Sequence, residues 1–85
     1  MSELEIYIKI LKEKSFVFAQ DDINSSIVVY KYYSEHVEEY AYLYITYDKN
    51  YDHIVKLNLF QNKEIFKKEK FLKNLKDEFE KIKSE

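Results

Sequence analysis

Residues 40–47, Tyr-Ala-Tyr-Leu-Tyr-Ile-Thr-Tyr, alternate with period two along their whole length. That period belongs to a strand with one buried face and one free face. Ala41, Leu43 and Ile45 fall on one side; Tyr40, Tyr42, Tyr44 and Thr46 fall on the other. Aromatic and β-branched residues suit a pleated surface. A chain built on this strand must supply sheet neighbours for its edges and an apolar layer for one face.

The flanking sequence supplies both. Phe16-Val17-Phe18-Ala19 reads as a short strand, and 20–26 as a turn, because Asp, Asn and Ser side chains bond nearby backbone groups. Residues 27–33 read as a second strand, with Val28, Tyr30 and Tyr32 on one face and Ile27, Val29, Lys31 and Tyr33 on the other. An acidic connection, 34–39, leads into the Tyr40 strand. After the polar loop 48–52, residues 53–60 read as a fourth strand, with Val55, Leu57 and Leu59 inward and Lys56 and Asn58 outward. Connections this short imply an antiparallel meander.

The apolar layer comes from the two ends of the chain. Ser2-x-x-Glu5 fits a capping box. Leu4, Tyr7, Ile8 and Leu11 follow at helical spacing, widened by Ile6 and Ile10, so a helix is expected over about residues 3–14. Near the C-terminus Ile65, Leu72, Leu75, Phe79 and Ile82 form a helical stripe, with Asn62 as the expected N-cap. The start is open to as late as residue 68, since Ile65-Phe66 also suits a strand. Glu64–Lys68, Glu69–Lys73 and Asp77–Lys81 are i, i+4 pairs in the favourable order. The fold class expected is α+β: an N-terminal helix, a three- to four-stranded antiparallel meander and a C-terminal helix in two layers, forming a single domain over 1–85. Both helices are expected on the face holding Leu43, Ile45, Val55 and Leu57. The stripe through Leu72, Leu75, Phe79 and Ile82 also fits a helix seam between two copies.

Composition narrows the chemistry. A chain of 85 residues builds only a modest core. Without Cys it has no disulfide, thiolate zinc site or iron–sulfur site. Gly, Pro and Arg are also missing, while Lys, Asn, Ile, Tyr and Phe make up 43 of the 85 residues. That bias follows A/T-rich codons and points to a low-G/C bacterium or a mobile element living in one. No apolar run spans a bilayer, and the acidic N-terminus lacks a signal-peptide pattern, so a bacterial cytoplasm is the expected compartment and no membrane the expected partner. The net charge of −2 conceals an asymmetry: residues 21–52 carry seven acids and two Lys, whereas 53–85 carry six acids and nine Lys.

Catalytic and metal motifs do not survive a physical test. Asp48-x-Asn50-x-Asp52 has the opening spacing of an EF-hand loop, but His53 stands where a Gly must turn and Leu59 where a bidentate Glu must bind. His36 lies among Glu35, Glu38 and Glu39, a set that fixes no ligand geometry. Ser25 and Ser26 have no recognisable base, and a chain without Gly has no Gly-rich phosphate loop. The expectation is a protein that is not an enzyme and takes no cofactor.

Two surface features carry the binding readings. Eight of the nine tyrosines lie between residues 30 and 51, which favours a concentrated surface over scattered core filling. The Tyr row reads either as cross-strand packing or as a contact face of Tyr40, Tyr42 and Tyr44. Glu35, Glu38, Glu39, Asp21 and Asp22 would steer a basic protein partner to it. The run 63–76 holds six Lys; it reads as a solvated helix face or as phosphate contacts from Lys67, Lys68, Lys70 and Lys73, with the tyrosines stacking bases. A homodimer closing its Tyr face or helix stripe on itself is a third reading.

Ile8-Lys9-Ile10-Leu11-Lys12-Glu13-Lys14-Ser15-Phe16, followed by the Asp/Asn/Ser turn, resembles the opening of small phage anti-CRISPR inhibitors. The resemblance covers residues 8–28 and the order of elements. It implies a stoichiometric inhibitor that occupies a nucleic-acid-binding surface with acids, here Asp21, Asp22, Glu35, Glu38, Glu39, Asp48 and Asp52.

Overall fold

A computed structural model describes residues 2–22, 25–50 and 52–85. Helix α1 spans Glu3–Glu13, and helix α2 spans Lys68–Lys83. Between them lie β1 (Phe16–Asp22), β2 (Ile27–Tyr33), β3 (Tyr40–Asp48) and β4 (His53–Gln61). The four strands form one antiparallel sheet in the order β1-β2-β3-β4. The shortest dimension, 19 Å, accommodates one sheet and one layer of helices. Among the described residues no helix is long and apolar enough to cross a membrane.

Half of the expected capping box forms at the start of α1: Glu5 N donates to Ser2 Oγ at 3.1 Å, while the Glu5 carboxylate Oε1 accepts from the Ser2 hydroxyl at 3.2 Å and not from the Ser2 backbone N–H. The buried side of α1 is Ile6, Tyr7, Ile10 and Leu11, with Leu4 and Ile8 at its margin. These residues meet Val28, Tyr30, Ala41, Leu43, Ile45 and Leu59 from the sheet and Leu75 and Phe79 from α2 in one apolar core. Both helices therefore cover the face predicted from Leu43 and Ile45.

Several local expectations are corrected. Gln20, Asp21 and Asp22 belong to β1 rather than to a turn, because they pair with Val29, Val28 and Ile27. The centre of that turn, Ile23-Asn24, lies outside the described residues, as does Tyr51 in the next loop. Val55 does not point into the core. The β3–β4 register shifts between Thr46 and Tyr47, Ile54 takes the inward place opposite Tyr47, and Val55 is left 61% exposed. Asn62 is not a helix cap. Its Oδ1 accepts from Tyr40 N at 3.0 Å, and its Nδ2 donates to Glu38 O. The N-cap of α2 is Lys67, with no side-chain cap bond, so Glu64 precedes the helix. Ile65 and Phe66 form no strand. Gln61 holds the segment by donating Nε2–H to Phe66 O at 2.9 Å and accepting Phe66 N–H at 3.1 Å.

A chain without glycine must place other residues in the left-handed region. Ser15 (φ 70°), Ser26 (φ 55°) and Asp52 (φ 49°) do so here. Ser15 turns the chain from α1 into β1. Replacing it with Gly removes the Cβ clash at the cost of extra freedom in the unfolded chain, so Ser15→Gly is expected to raise stability by about 0.5–1 kcal/mol in urea unfolding. A loss of stability would count against the left-handed geometry.

Candidate functional site

Because both helices lie on one side, the other face of the sheet is left uncovered. Pairing assembles it row by row. Tyr33 lies opposite Tyr40; Lys31, Tyr42 and Phe60 form the next row; Val29, Tyr44 and Asn58 the third; Ile27, Thr46 and Lys56 the last. Tyr33 is 62% exposed and Phe60 52%, while Tyr40 and Tyr44 are also exposed and Tyr42 half-buried.

The rings order one another. Tyr40 and Tyr42 meet edge to face at 5.5 Å, and Tyr44 and Phe60 at 5.1 Å. Lys31 Nζ sits 4.6 Å from the Tyr33 ring centre and 5.4 Å from that of Tyr42, within cation–π range of both. Val29, beneath them, is buried without belonging to the helix-side core. The tyrosines thus pack against each other and also remain accessible, which joins the two readings of the row. Lys31, Tyr33 and Phe60 extend the predicted trio. Their alternation with Val29 and Asn58 was the available signal, and the strand register brings them together.

The β2–β3 loop stands at the end of this face. Ser34 Oγ accepts from His36 N at 3.1 Å and donates to Glu39 Oε2 at 3.0 Å, and Glu39 N donates to His36 O at 3.0 Å. Asn62 ties the loop to β3 from the other side. Glu39 is therefore a bracing group, whereas Glu35 and Glu38 are exposed, and Val37 between them is fully exposed at 101%.

Other predicted site residues lie elsewhere. Asp21 and Asp22 end β1 at the opposite end of the sheet, about 20 Å away along a seven-residue strand. That exceeds the screening length in physiological salt, so they do not reinforce the Glu35–Glu38 field. Asp22 also holds its turn, accepting from Ser25 N at 3.2 Å and Ser25 Oγ at 2.7 Å. Lys67, Lys68, Lys70 and Lys73 are exposed on the first half of α2, in the helix layer. The sheet separates them from the Tyr row, so one strand of nucleic acid does not stack on the rings and lie along these lysines together. Lys31 and Lys56 are the cations that share the open face.

A second hollow, about 310 Å³, opens where α1, the β4 edge and α2 converge, lined by Tyr7, Lys76, Phe79 and Lys83 among others. Its polar centre is Glu3, only 15% exposed at its side chain. Glu3 accepts from Lys83 Nζ at 2.7 Å and from Ile54 N at 3.0 Å, with His53 Nδ1 3.5 Å away. The Lys83 hydrogen bond holds the Glu3 carboxyl below the usual range against its burial, and Glu3 in turn raises the Lys83 ammonium. This cluster joins three elements of the fold. In the 48–52 loop, Asp48 Oδ1 accepts from Asn50 N at 2.9 Å and Asp52 Oδ1 from Glu3 N at 3.2 Å, so these carboxylates brace backbone. Among the described residues no three His, Asp or Glu side chains are grouped to hold a metal ion.

Comparison of the chain with protein-family models, curated proteins and solved structures gives no match.

Proposed function

We propose that this protein is a binding module rather than a catalyst. It docks its open aromatic face, with the Glu35–Glu38 loop at the rim, onto a basic surface of a protein partner. The observation that carries this is the uncovered cluster of Tyr33, Tyr40, Tyr42, Tyr44 and Phe60. Tyr gives large contact area at low entropy cost and is enriched at interfaces. Four strands of about seven residues span roughly 400 Å², the size of a functional patch but about half of a standard interface's share per partner. The braced loop supplies further area and the charge.

A nucleic-acid-binding surface is built to meet stacked rings and negative charge. Phenol rings beside exposed carboxylates offer both, and arginine stacks well on tyrosine. The reading is therefore an inhibitor from a phage or other mobile element that occupies the nucleic-acid-binding or active surface of a host defence protein, as the resemblance of residues 8–28 also implies. Its test is capture from nuclease-treated host lysate, followed by affinity measurement on the captured protein. Tyr40→Ser/Tyr42→Ser/Tyr44→Ser is expected to weaken binding at least about 100-fold with folding intact. Glu35→Gln/Glu38→Gln is expected to slow association and flatten its salt dependence. Unchanged affinity of the triple variant defeats the proposal.

Lys31 and Lys56 on the same face favour a second reading, single-stranded nucleic acid stacked on the rings. It predicts retention of labelled oligonucleotides at low salt and their loss as salt rises.

A further inference from the structure

The second hollow, between the β4 edge and the two helices, holds donors that the fold leaves unused. Tyr7 is 4% exposed and lines it, and its hydroxyl has no hydrogen-bond partner among the described residues. Glu3 and Glu80, the carboxylates that act on this phenol, line the same hollow, which places the hydroxyl there and not in the core. A buried phenol ordinarily finds a partner, so an orphaned one facing a cavity marks a place for an acceptor. Burial and these two charges push the phenol up to about 12, so at neutral pH it keeps its proton and can donate. Lys56 on β4 and Lys76 on α2 border the hollow from its two sides. Neither has an ion pair or hydrogen bond among the described residues.

The pairs already formed leave an excess of cations. Lys83 is bound to Glu3 at 2.7 Å and lies 5.5 Å from the Phe79 ring centre, so that ion pair adds no net charge. With His53 neutral, Lys56 and Lys76 then stand against Glu80 alone. The apolar part of the wall is Val55, which the β4 bulge turns outward, and Leu57, half-buried beyond Lys56. The volume falls at the small end of ligand sites.

We propose that this hollow binds a small carboxylate with an apolar body. The carboxylate accepts from the Lys56 and Lys76 ammoniums and from the Tyr7 hydroxyl, and the body lies along Val55 and Leu57. A carboxylate has acceptor sites for all three donors, and its bonds from ammonium are charge-assisted. Its single negative charge matches the local excess. Its body covers apolar surface at Val55 that water otherwise wets. The site lies between β4 and the helices and does not rest on the proposed partner.

The test is titration of the nitrogen-labelled full chain with phenylacetate to about 20 mM, followed by amide NMR. The amides of Tyr7, of 55–57 and of 76–80 are expected to shift saturably, with a Kd near about 1 mM for so small a ligand. Lys56→Gln/Lys76→Gln is expected to weaken binding at least about tenfold. Tyr7→Phe, which keeps the ring, is expected to weaken it about fivefold. Phenylethanol has the body without the charge, and inorganic phosphate has charge without the body. Each is expected to bind at least about tenfold more weakly than phenylacetate. Lys9→Gln/Lys12→Gln removes two exposed charges of α1 outside the hollow and should leave binding unchanged. Absence of saturable shifts at these amides overturns the proposal. So does full binding by the Lys56→Gln/Lys76→Gln variant or by Tyr7→Phe. Equal binding of phosphate or phenylethanol, or an equal loss in Lys9→Gln/Lys12→Gln, also overturns it, since the hollow would then not be what selects the ligand.

Discussion

Phe16→Ala is expected to lower the free energy of unfolding by about 3–5 kcal/mol. Phe16 is 1% exposed and is one of the largest fully buried side chains. Its ring lies 5.5 Å from Tyr32, 5.8 Å from Phe66 and 5.8 Å from Phe71. Phe66 also packs on Tyr32 at 5.0 Å and on Phe71 at 4.5 Å. The four rings join β1, β2, the connection after β4 and α2. Removing the central ring leaves a cavity whose walls belong to separate elements, so it does not collapse easily. A domain of this length has about 4–13 kcal/mol in total, so the variant stands near the limit of folding. Urea unfolding should show a much lower midpoint with an unchanged slope. Phe60→Ala supplies the contrast. That ring is 52% exposed on the open face and should cost less than about 1 kcal/mol. Equal losses at the two positions would mean that the open face is as necessary to the fold as the core.

Much of this architecture is legible in residue patterns. Alternation in 40–47 assigns each side chain to its face, and the spacing from Leu4 to Leu11 together with Ser2 places α1. What escapes is whatever depends on a residue's partner across the sheet. Val55 obeys the period-two rule in the sequence, but one bulge shifts the phase of β4 and turns it out. Asn62 has the right chemistry for a helix cap, yet Tyr40 and Glu38, distant in sequence, take both ends of its amide. Asp and Gln made 20–22 look like a turn, while pairing with an apolar β2 draws them into β1.

The candidate site divides along the same line. Tyr40, Tyr42 and Tyr44 share a strand, so alternation alone puts them together. Lys31, Tyr33 and Phe60 join them through register, which a one-residue slip would reverse. The separation of Lys67, Lys68, Lys70 and Lys73 from the tyrosines depends on which face the helices cover, a choice made by the whole core. Asp21 and Asp22 resemble Glu35 and Glu38 in composition, but the length of β2 holds the pairs apart.

Tyr7 should make the fold sensitive to alkali. It is 4% exposed and stacked on Phe79, with ring centres 4.6 Å apart and planes 6° from parallel. Burial, reinforced by the charges of Glu3 and Glu80, pushes its phenol up to about 12 from an ordinary value near 10. A group whose proton is held more tightly in the folded state stabilises fully below its unfolded pKa and loses that contribution as pH rises through its folded pKa. The loss should therefore run from about pH 10 to about pH 12 and amount to about 2–3 kcal/mol. Tyr7→Phe keeps the ring and cannot ionise. Burial also raises Tyr30, and the Glu3 hydrogen bond raises Lys83, but both groups are present in either protein and cancel in the comparison. The stability difference between the two proteins should be flat below about pH 9 and then move in favour of Tyr7→Phe. Ultraviolet titration should show the wild-type chain with a late-ionising phenol, released as the chain unfolds, that Tyr7→Phe lacks. Parallel stability curves up to about pH 12 would mean that the Tyr7 hydroxyl reaches water and that its ring, not its proton, is what the core holds.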